Sequence, residues 1–500
     1  MTLQSNAGDL RAAKLLMWLY VDTGLAVFAL MALAGLAMRA EQAHWLAFAP
    51  TTFYSLMTLH GIGMLASMAV CGMGALWYIM RADGPLDERV AWWTYGLLLA
   101  GTVAVVASVI PGKFGAAWTF LYPLPFIGTY WPSWATGSFL VGLALVTLGF
   151  TMWCAQMLGC VLSRYGGLRG AVGWDYVVHA KEFAAAGRTP PPPYAFAALL
   201  MGVDGLLTGT VGMVIGIAMF VHWLDPSVPL DPLWAKNLTY LFGHAFANLT
   251  IYMALACVYV ALPRYTGRAY HTSTVLAVAW WGTLLFVAIA YFHHLYMDFV
   301  QPRPLQYIGE LASYLSALPT AVVSIFGATL LVYRSGMRWT MGSLFLFAGL
   351  IGWLIGGAGA LLDATIPINF SLHNTLWVPA HFHTYLLEGV LLFIIGWVFM
   401  MLEERAKRSS SVAVRWLVGA GIFGGGAIFL LGFYAAGAYE VPRRYAMQPP
   451  PGPEMASWAS VGAIILLIGL ALCLAEAVRL ATTRPVGEPA VASASPAAAS

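Results

Sequence analysis

SLHNTLWVPAHFHTYLLEG, residues 371–389, carries His381 and His383 two positions apart at the start of a long apolar run. Residues two apart on a helix point about 200° away from each other at 3.6 residues per turn. The two imidazoles therefore face opposite sides of one helix. An imidazole inside an apolar span is costly unless it is paired or bound to a metal. A helix with such a group on each face can hold two separate centres side by side.

Working outward, the whole chain is of the same character. Of its 500 residues, 60% are hydrophobic and 9% charged, and the mean hydropathy is +0.77. Soluble domains carry about 25% charged residues, so the composition predicts an all-α integral membrane protein in a lipid bilayer. A net charge of +3, scattered along the chain, argues against a nucleic-acid partner. The five cysteines show no metal spacing and read as small buried hydrophobes.

A span needs about 20 apolar residues. Twelve runs qualify: 15–38, 53–80, 91–111, 136–162, 194–221, 238–262, 271–294, 306–333, 340–362, 377–402, 413–438 and 456–478. No small-residue cleavage site follows the first run, which reads as a span that stays. With twelve spans, 18 of the 24 basic residues fall on one side and six on the other. The positive-inside rule then puts both termini in the cytoplasm. Residues 1–480 read as one membrane domain, and 481–500, rich in Ala, Ser, Pro and Val, as a disordered cytoplasmic tail.

Six histidines lie in or at the ends of these runs: His60, His244, His293, His294, His381 and His383. By the 1.5 Å rise per residue, all six share a layer in the outer third of the membrane. His293 and His294 sit where span 7 gives way to a loop, so both rings can turn to one metal with His244 as a third ligand. Three neutral imidazoles suit copper, zinc or iron. His60 is left to pair with one face of span 10, as in a bis-histidine haem. A lone histidine at a span end is more often an interfacial side chain bonded to a carbonyl, and His44, His179, His222, His271 and His373 read that way. That reading explains neither the shared depth of the six nor their HH and HxH spacings.

These residues resemble the catalytic subunit I of the haem–copper oxidase superfamily, through nearly the whole chain. LHGIGM (59–64) resembles its low-spin haem helix, and FGHAFANLTIY (242–252) the helix of its first copper ligand. YFHHLYMDF (291–299) resembles its copper His-His pair, and SLHNTLWVPAHFHTYLL (371–387) its second haem-ligand helix. VPRRY (441–445), AAWTFLYPLP (116–125) and PTAVVS (319–324) resemble its propionate-binding arginines, its WT-x-YPP stretch and its PTGVK motif. The resemblance implies a twelve-helix bundle in which His60 and His383 ligate a low-spin haem and His381 a high-spin haem. It implies that His244, His293 and His294 hold the copper called CuB, and that Arg443 and Arg444 bind haem propionates. Haems of b type are expected, although no residue here reads out the haem type.

Two positions depart from the pattern. Oxygen-reducing members carry a tyrosine four residues after the first copper histidine, or on span 7 six residues before the His-His pair. Here these positions are Asn248 and Val287. The tyrosine supplies an electron and a proton when an O–O bond breaks. Asparagine does neither, although it donates and accepts hydrogen bonds. Reducing NO to N2O needs no O–O cleavage, and the nitric oxide reductases of the superfamily lack the tyrosine. The chain is therefore expected to be an oxidase-like nitric oxide reductase of a bacterial inner membrane, the alternative being an O2-reducing terminal oxidase. The second departure is Val323, where the pattern has a proton-feeding lysine. Glu310, Tyr314, Ser316, Thr320 and Ser324 still give span 8 a polar stripe, with Glu310 as a candidate proton donor. Asp204 and Glu388 are further intramembrane acids, candidates for function by that fact. The resemblance also implies a small cupredoxin-like or cytochrome subunit and an electron donor, cytochrome c or quinol.

Overall fold

The computed structural model describes residues 7–117 and 130–483. The WT-x-YPP stretch, from Trp118 onward, and the tail from Arg484 lie outside the described residues. All regular structure among the described residues is helical, apart from one isolated β-bridge between Thr375 and Pro442.

Twelve elements run up and down. They are α1 (Ala7–Gln42), α2 (Pro50–Met80), α3 (Glu88–Val109), α4 (Ser133–Tyr165), α5 (Pro193–Leu224) and α6 (Pro232–Thr266). There follow α7 (Thr274–Phe286), α8 (Pro304–Val332), α9 (Met341–Ala364), α10 (Trp377–Ala406), α11 (Val412–Ala438) and α12 (Gly452–Thr482). Eleven are long and apolar enough to cross a membrane alone. The seventh span is different: α7 stops at Phe286, and a 3-10 segment, Ile289–Leu295, continues it after a 55° bend.

Several helices outrun the apolar runs because their ends are capped. Pro232 opens α6, where a missing N–H costs nothing, and Asp231 accepts from Trp234 N at 2.6 Å. Ser273 caps α7 through Leu276 N, and Thr340 with Ser343 forms a capping box on α9. Gly267, with φ +66°, closes α6 in the left-handed conformation that glycine tolerates.

Neighbours in sequence pack as neighbours in space: α1 on α2, α3 on α4, α4 on α5, and α11 on α12. Helices α6 and α10 are the most enclosed. They contact each other and form the central wall, so groups on their facing sides are cut off from lipid and solvent. The five cysteines are free and buried, as small hydrophobes would be.

Candidate haem and metal centres

The six histidines line one internal cavity, with about 350 Å³ of free volume, between α1, α2, α6, the 3-10 segment, α8, α9, α10, α11 and α12. Asn248, Ser313, Arg39, Arg443 and Arg444 share its wall.

His60 and His383 face each other with ring centroids 5.9 Å apart and planes 22° apart. His60 Nδ1 lies 2.8 Å from Met31 O, and His383 Nδ1 2.7 Å from Pro379 O. A carbonyl oxygen only accepts, so each Nδ1 carries the hydrogen and each Nε2 keeps its lone pair. This is how proteins orient metal-ligating histidines. Two metal–nitrogen bonds of about 2 Å each, plus the ring radii, come to roughly the observed centroid spacing. The pair fits a six-coordinate haem iron. Room for the His60 ring comes from Gly35 on α1, where a Cβ would fall 2.6 Å from His60 Cε1.

On the other face of α10, His381 lies with Nε2 3.0 Å from Asp363 Oδ2 of α9. Its Nδ1 is buried without a hydrogen-bond partner.

His244, His293 and His294 form the second cluster, each offering a ring nitrogen within 4.8 Å of the others. His244 Nδ1 and His294 Nε2 are 3.2 Å apart. Nitrogens sharing one ion at bonds of about 2.0–2.1 Å stand roughly 3–4 Å apart, so the cluster fits a metal. The 3-10 winding, at three residues per turn, sets the adjacent rings of His293 and His294 with centroids 4.2 Å apart. Ser313 settles the His293 tautomer. Its one hydroxyl hydrogen goes to Gly309 O, so at 2.9 Å from His293 Nδ1 it accepts. His293 Nε2 is left for a metal. Asn248, one turn below His244 on α6, has its side-chain nitrogen 3.2 Å from His244 Nε2 and 3.0 Å from His244 O.

The arginines are placed by the β-bridge. Leu376 N bonds to Val441 O, and Arg443 N to Asn374 O, which fixes the α11–α12 loop against the start of α10. Arg444 holds a φ of +69°, a strained conformation for a side chain of its size. Arg443 is buried, and burial followed by the adjacent Arg444 lowers its guanidinium to about 10. Its Nε has no hydrogen-bond partner. A carboxylate in the cavity would relieve both penalties, so the pair fits haem propionates.

Glu310 does not reach the cavity. It accepts from Tyr314 OH and Ile366 N, each at 3.3 Å. The polar stripe of α8 is divided. Glu310 and Tyr314 turn toward Thr365, while Ser316, Thr320 and Ser324 are buried against α6 and α7. These three form a hydroxyl column. Tyr259 OH meets Ser324 Oγ at 2.6 Å, and Thr283 Oγ1 touches Thr320 Oγ1 and donates to Ser316 O. Ser316 Oγ donates to Ser313 O, beside His293. Tyr291 is turned away, bonded to Asn237 Oδ1. His222 bonds a carbonyl, that of Val228, in the manner expected of an interfacial histidine.

Sequence reasoning passed over Asp363, Ser313, Tyr240 and Arg39. Tyr240 stacks on His294 with ring centroids 5.2 Å apart. Arg39, counted as an ordinary loop charge, is buried, lies 4.0 Å over the Phe433 ring, and has Nε and Nη2 unpaired. Its clue was a basic residue at the end of an apolar run on the side otherwise poor in basic residues.

Paired imidazoles beside an imidazole triad, buried in a membrane bundle, are suited to hold closely spaced metal centres. Residues 15–471 match the family model described as Cytochrome C and Quinol oxidase polypeptide I, and the chain belongs to that family, the subunits I of the haem–copper oxidases. It is an enzyme of the haem–copper oxidoreductase type, and such subunits bind a low-spin haem, a high-spin haem and CuB. The chain is 28% identical over 294 residues to cytochrome c oxidase subunit 1 of Thermus thermophilus, covering 53% of this chain and 51% of that one. It is 25% identical to cytochrome c oxidase polypeptide 1 of Halobacterium salinarum, covering 93% of this chain and 79% of that one. A solved haem–copper terminal oxidase dimer superposes with a TM-score of 0.74 at 21% identity, over 97% of this chain and 86% of that one. That likeness establishes the fold.

Proposed function

We propose that this chain is the catalytic subunit of a nitric oxide reductase, performing 2 NO + 2 e⁻ + 2 H⁺ → N2O + H2O. The observation that carries the reading is Asn248. It stands 3.2 Å from a nitrogen of His244 and lines the cavity. In this place the superfamily's oxygen chemistry uses a phenol. An amide there can hydrogen-bond a polar gas or a neighbouring ligand and can turn over to present oxygen or nitrogen. It supplies no electron for splitting an O–O bond.

In this reading His60 and His383 hold the low-spin haem, His381 the high-spin haem, and His244, His293 and His294 CuB. When bound, the second haem and the copper supply the redox chemistry at which the gas is reduced. The protein orients the imidazoles through Met31 O, Pro379 O and Ser313 Oγ. Arg443 and Arg444 neutralise the propionates, and the apolar cavity wall keeps bulk water out. The hydroxyl column of α8 leads from Tyr259 toward the backbone of Ser313 and gives this span its polar path where Val323 stands in place of a lysine. Glu310 lies outside the cavity, bonded to Tyr314 and Ile366 N, and serves as a proton reservoir on the Thr365 side of α8. Both termini lie in the cytoplasm of a bacterial cell, and a small cupredoxin-like or cytochrome subunit docks on the outer face. Electrons come from cytochrome c or quinol.

O2 reduction is the second reading, favoured by the relatives, which are named as cytochrome c oxidases. Gas turnover on one purified preparation separates the two. NO loss with N2O formation and little O2 uptake is expected. Fast O2 uptake with slow NO turnover would overturn the proposal and move the search for an electron donor to the cavity-lining phenols, Tyr240 and Tyr385.

A further inference from the structure

Glu388 is a carboxyl group in the middle of α10 that no role above uses. It lies five residues beyond His383, about 7.5 Å further along the axis at 1.5 Å per residue. Here α10 changes its winding: Leu386–Val390 is a π-helical turn, with Glu388 at its centre. Helix α11 carries a second π turn, Ala420–Gly424, immediately before Gly425 and Gly426. Single π turns inside α-helices recur at functional sites.

One glycine admits the carboxyl and a second admits the backbone that carries it. A Cβ at Gly426 of α11 would fall 2.0 Å from Glu388 Oε1, and one at Gly352 of α9 would fall 2.0 Å from Glu388 O. The carboxyl thus lies directly on the α11 backbone. Its Oε1 is buried without a hydrogen-bond partner, and no charged side chain acts on it. An ionised carboxylate here would be unpaired in an apolar wall, which is costly. Mere glue between helices needs a hydrogen-bond partner, and the buried oxygen of this carboxyl has none. Its neighbours Leu386 and Leu387 line the haem and metal cavity, so it sits just behind the wall.

We infer that Glu388 is a proton-carrying site, a carboxylic acid that releases its proton toward the reducing centre as electrons arrive and recovers one from the opposite end of the bundle. Each transfer breaks one O–H bond of the acid and leaves a transient carboxylate. Reprotonation restores it, and the proton released is among those that gas reduction consumes. This holds for either gas, so it does not stand or fall with the NO reading.

The test is infrared difference spectroscopy on the complete purified enzyme, reduced minus oxidised, in H2O and D2O, with Glu388→Gln and Glu388→Asp. A carboxylic C=O band that shifts in D2O is expected in the unaltered enzyme. It should be absent from the Gln variant and displaced in the Asp variant, with both haem spectra retained. Turnover should fall at least about 10-fold in Gln and recover partly in Asp, since positioned proton transfer contributes about 10²–10⁴-fold. A band unchanged in Gln, or no such band in the unaltered enzyme, overturns the inference. So does full turnover in Gln, which keeps the shape and loses the proton. If the Gln variant fails to assemble, the Asp variant decides: a displaced band supports the inference and an unmoved band overturns it.

Discussion

The His60–His383 pair and the His244–His293–His294 triad line one cavity, yet they are built in different ways. The pair stands on α-helical turns of α2 and α10, each ring anchored through Nδ1 to a main-chain carbonyl of the bundle. A carbonyl within a helix cannot be removed by changing a side chain. The triad stands partly on a 3-10 segment beyond a 55° bend, and two of its rings also meet side chains, His293 at Ser313 and His244 at Asn248. The pair is therefore the sturdier centre, and the triad is the one whose properties single substitutions can tune. A site that only relays electrons needs no more than fixed ligands. One that binds a gas and takes protons needs polar groups in reach.

The largest expected effect separates the centres. His244→Ala should abolish copper binding and lower turnover by well over about 100-fold, beyond the range typical of outer-shell changes. The low-spin haem spectrum should survive. His60→Ala should do the reverse, losing one haem per chain while copper stays. Metal analysis with reduced-minus-oxidised spectra reads both. Wild-type copper content in the first variant would break the ligand assignment, and loss of both centres in either would break their independence.

Asn248→Ala comes next. It should leave haem and copper content intact and lower NO turnover by about 10–100-fold, the scale of an outer-shell partner. An unchanged rate would reduce Asn248 to packing and remove the main support for the NO reading.

How far the sequence reveals this asymmetry follows from the same physics. Span positions were legible because the bilayer demands long apolar runs, and the HxH and HH spacings were legible because helix geometry turns spacing into direction. The break after Phe286 was not, since neither proline nor glycine occurs between Leu284 and Tyr291. Ser313 and Asp363 were passed over because their partners, His293 and His381, lie on other elements, and no periodicity within one helix reports a contact between two. Arg39 was counted only among the six basic residues of the sparser side, because its burial depends on how the end of α1 packs against Phe433 of α11.

Ser313→Ala sharpens the comparison further. It removes the acceptor for His293 Nδ1–H, frees the tautomer, and should weaken copper binding by about 10-fold. No substitution of this kind is available at the His60–His383 pair. Competition with a chelator of known affinity measures the shift, and an affinity equal to wild type would mean that the 3-10 backbone alone orients the ring.

The smallest effect is expected at Lys236 and Asp298, which pair at 2.6 Å between the first turn of α6 and the loop after the 3-10 segment. Both side chains are partly exposed, so the pair should contribute no more than about 1 kcal/mol, less in high salt. Its position gives that small term a direction. It ties the helix that carries His244 to the loop that follows the segment carrying His293 and His294. Lys236→Met should therefore lower thermal stability slightly and speed copper loss to a chelator while leaving low-spin haem retention unchanged. If copper and haem are lost in step, the bent span is braced by the bundle as a whole, and the contrast between a sturdy pair and a tunable triad fails at this point.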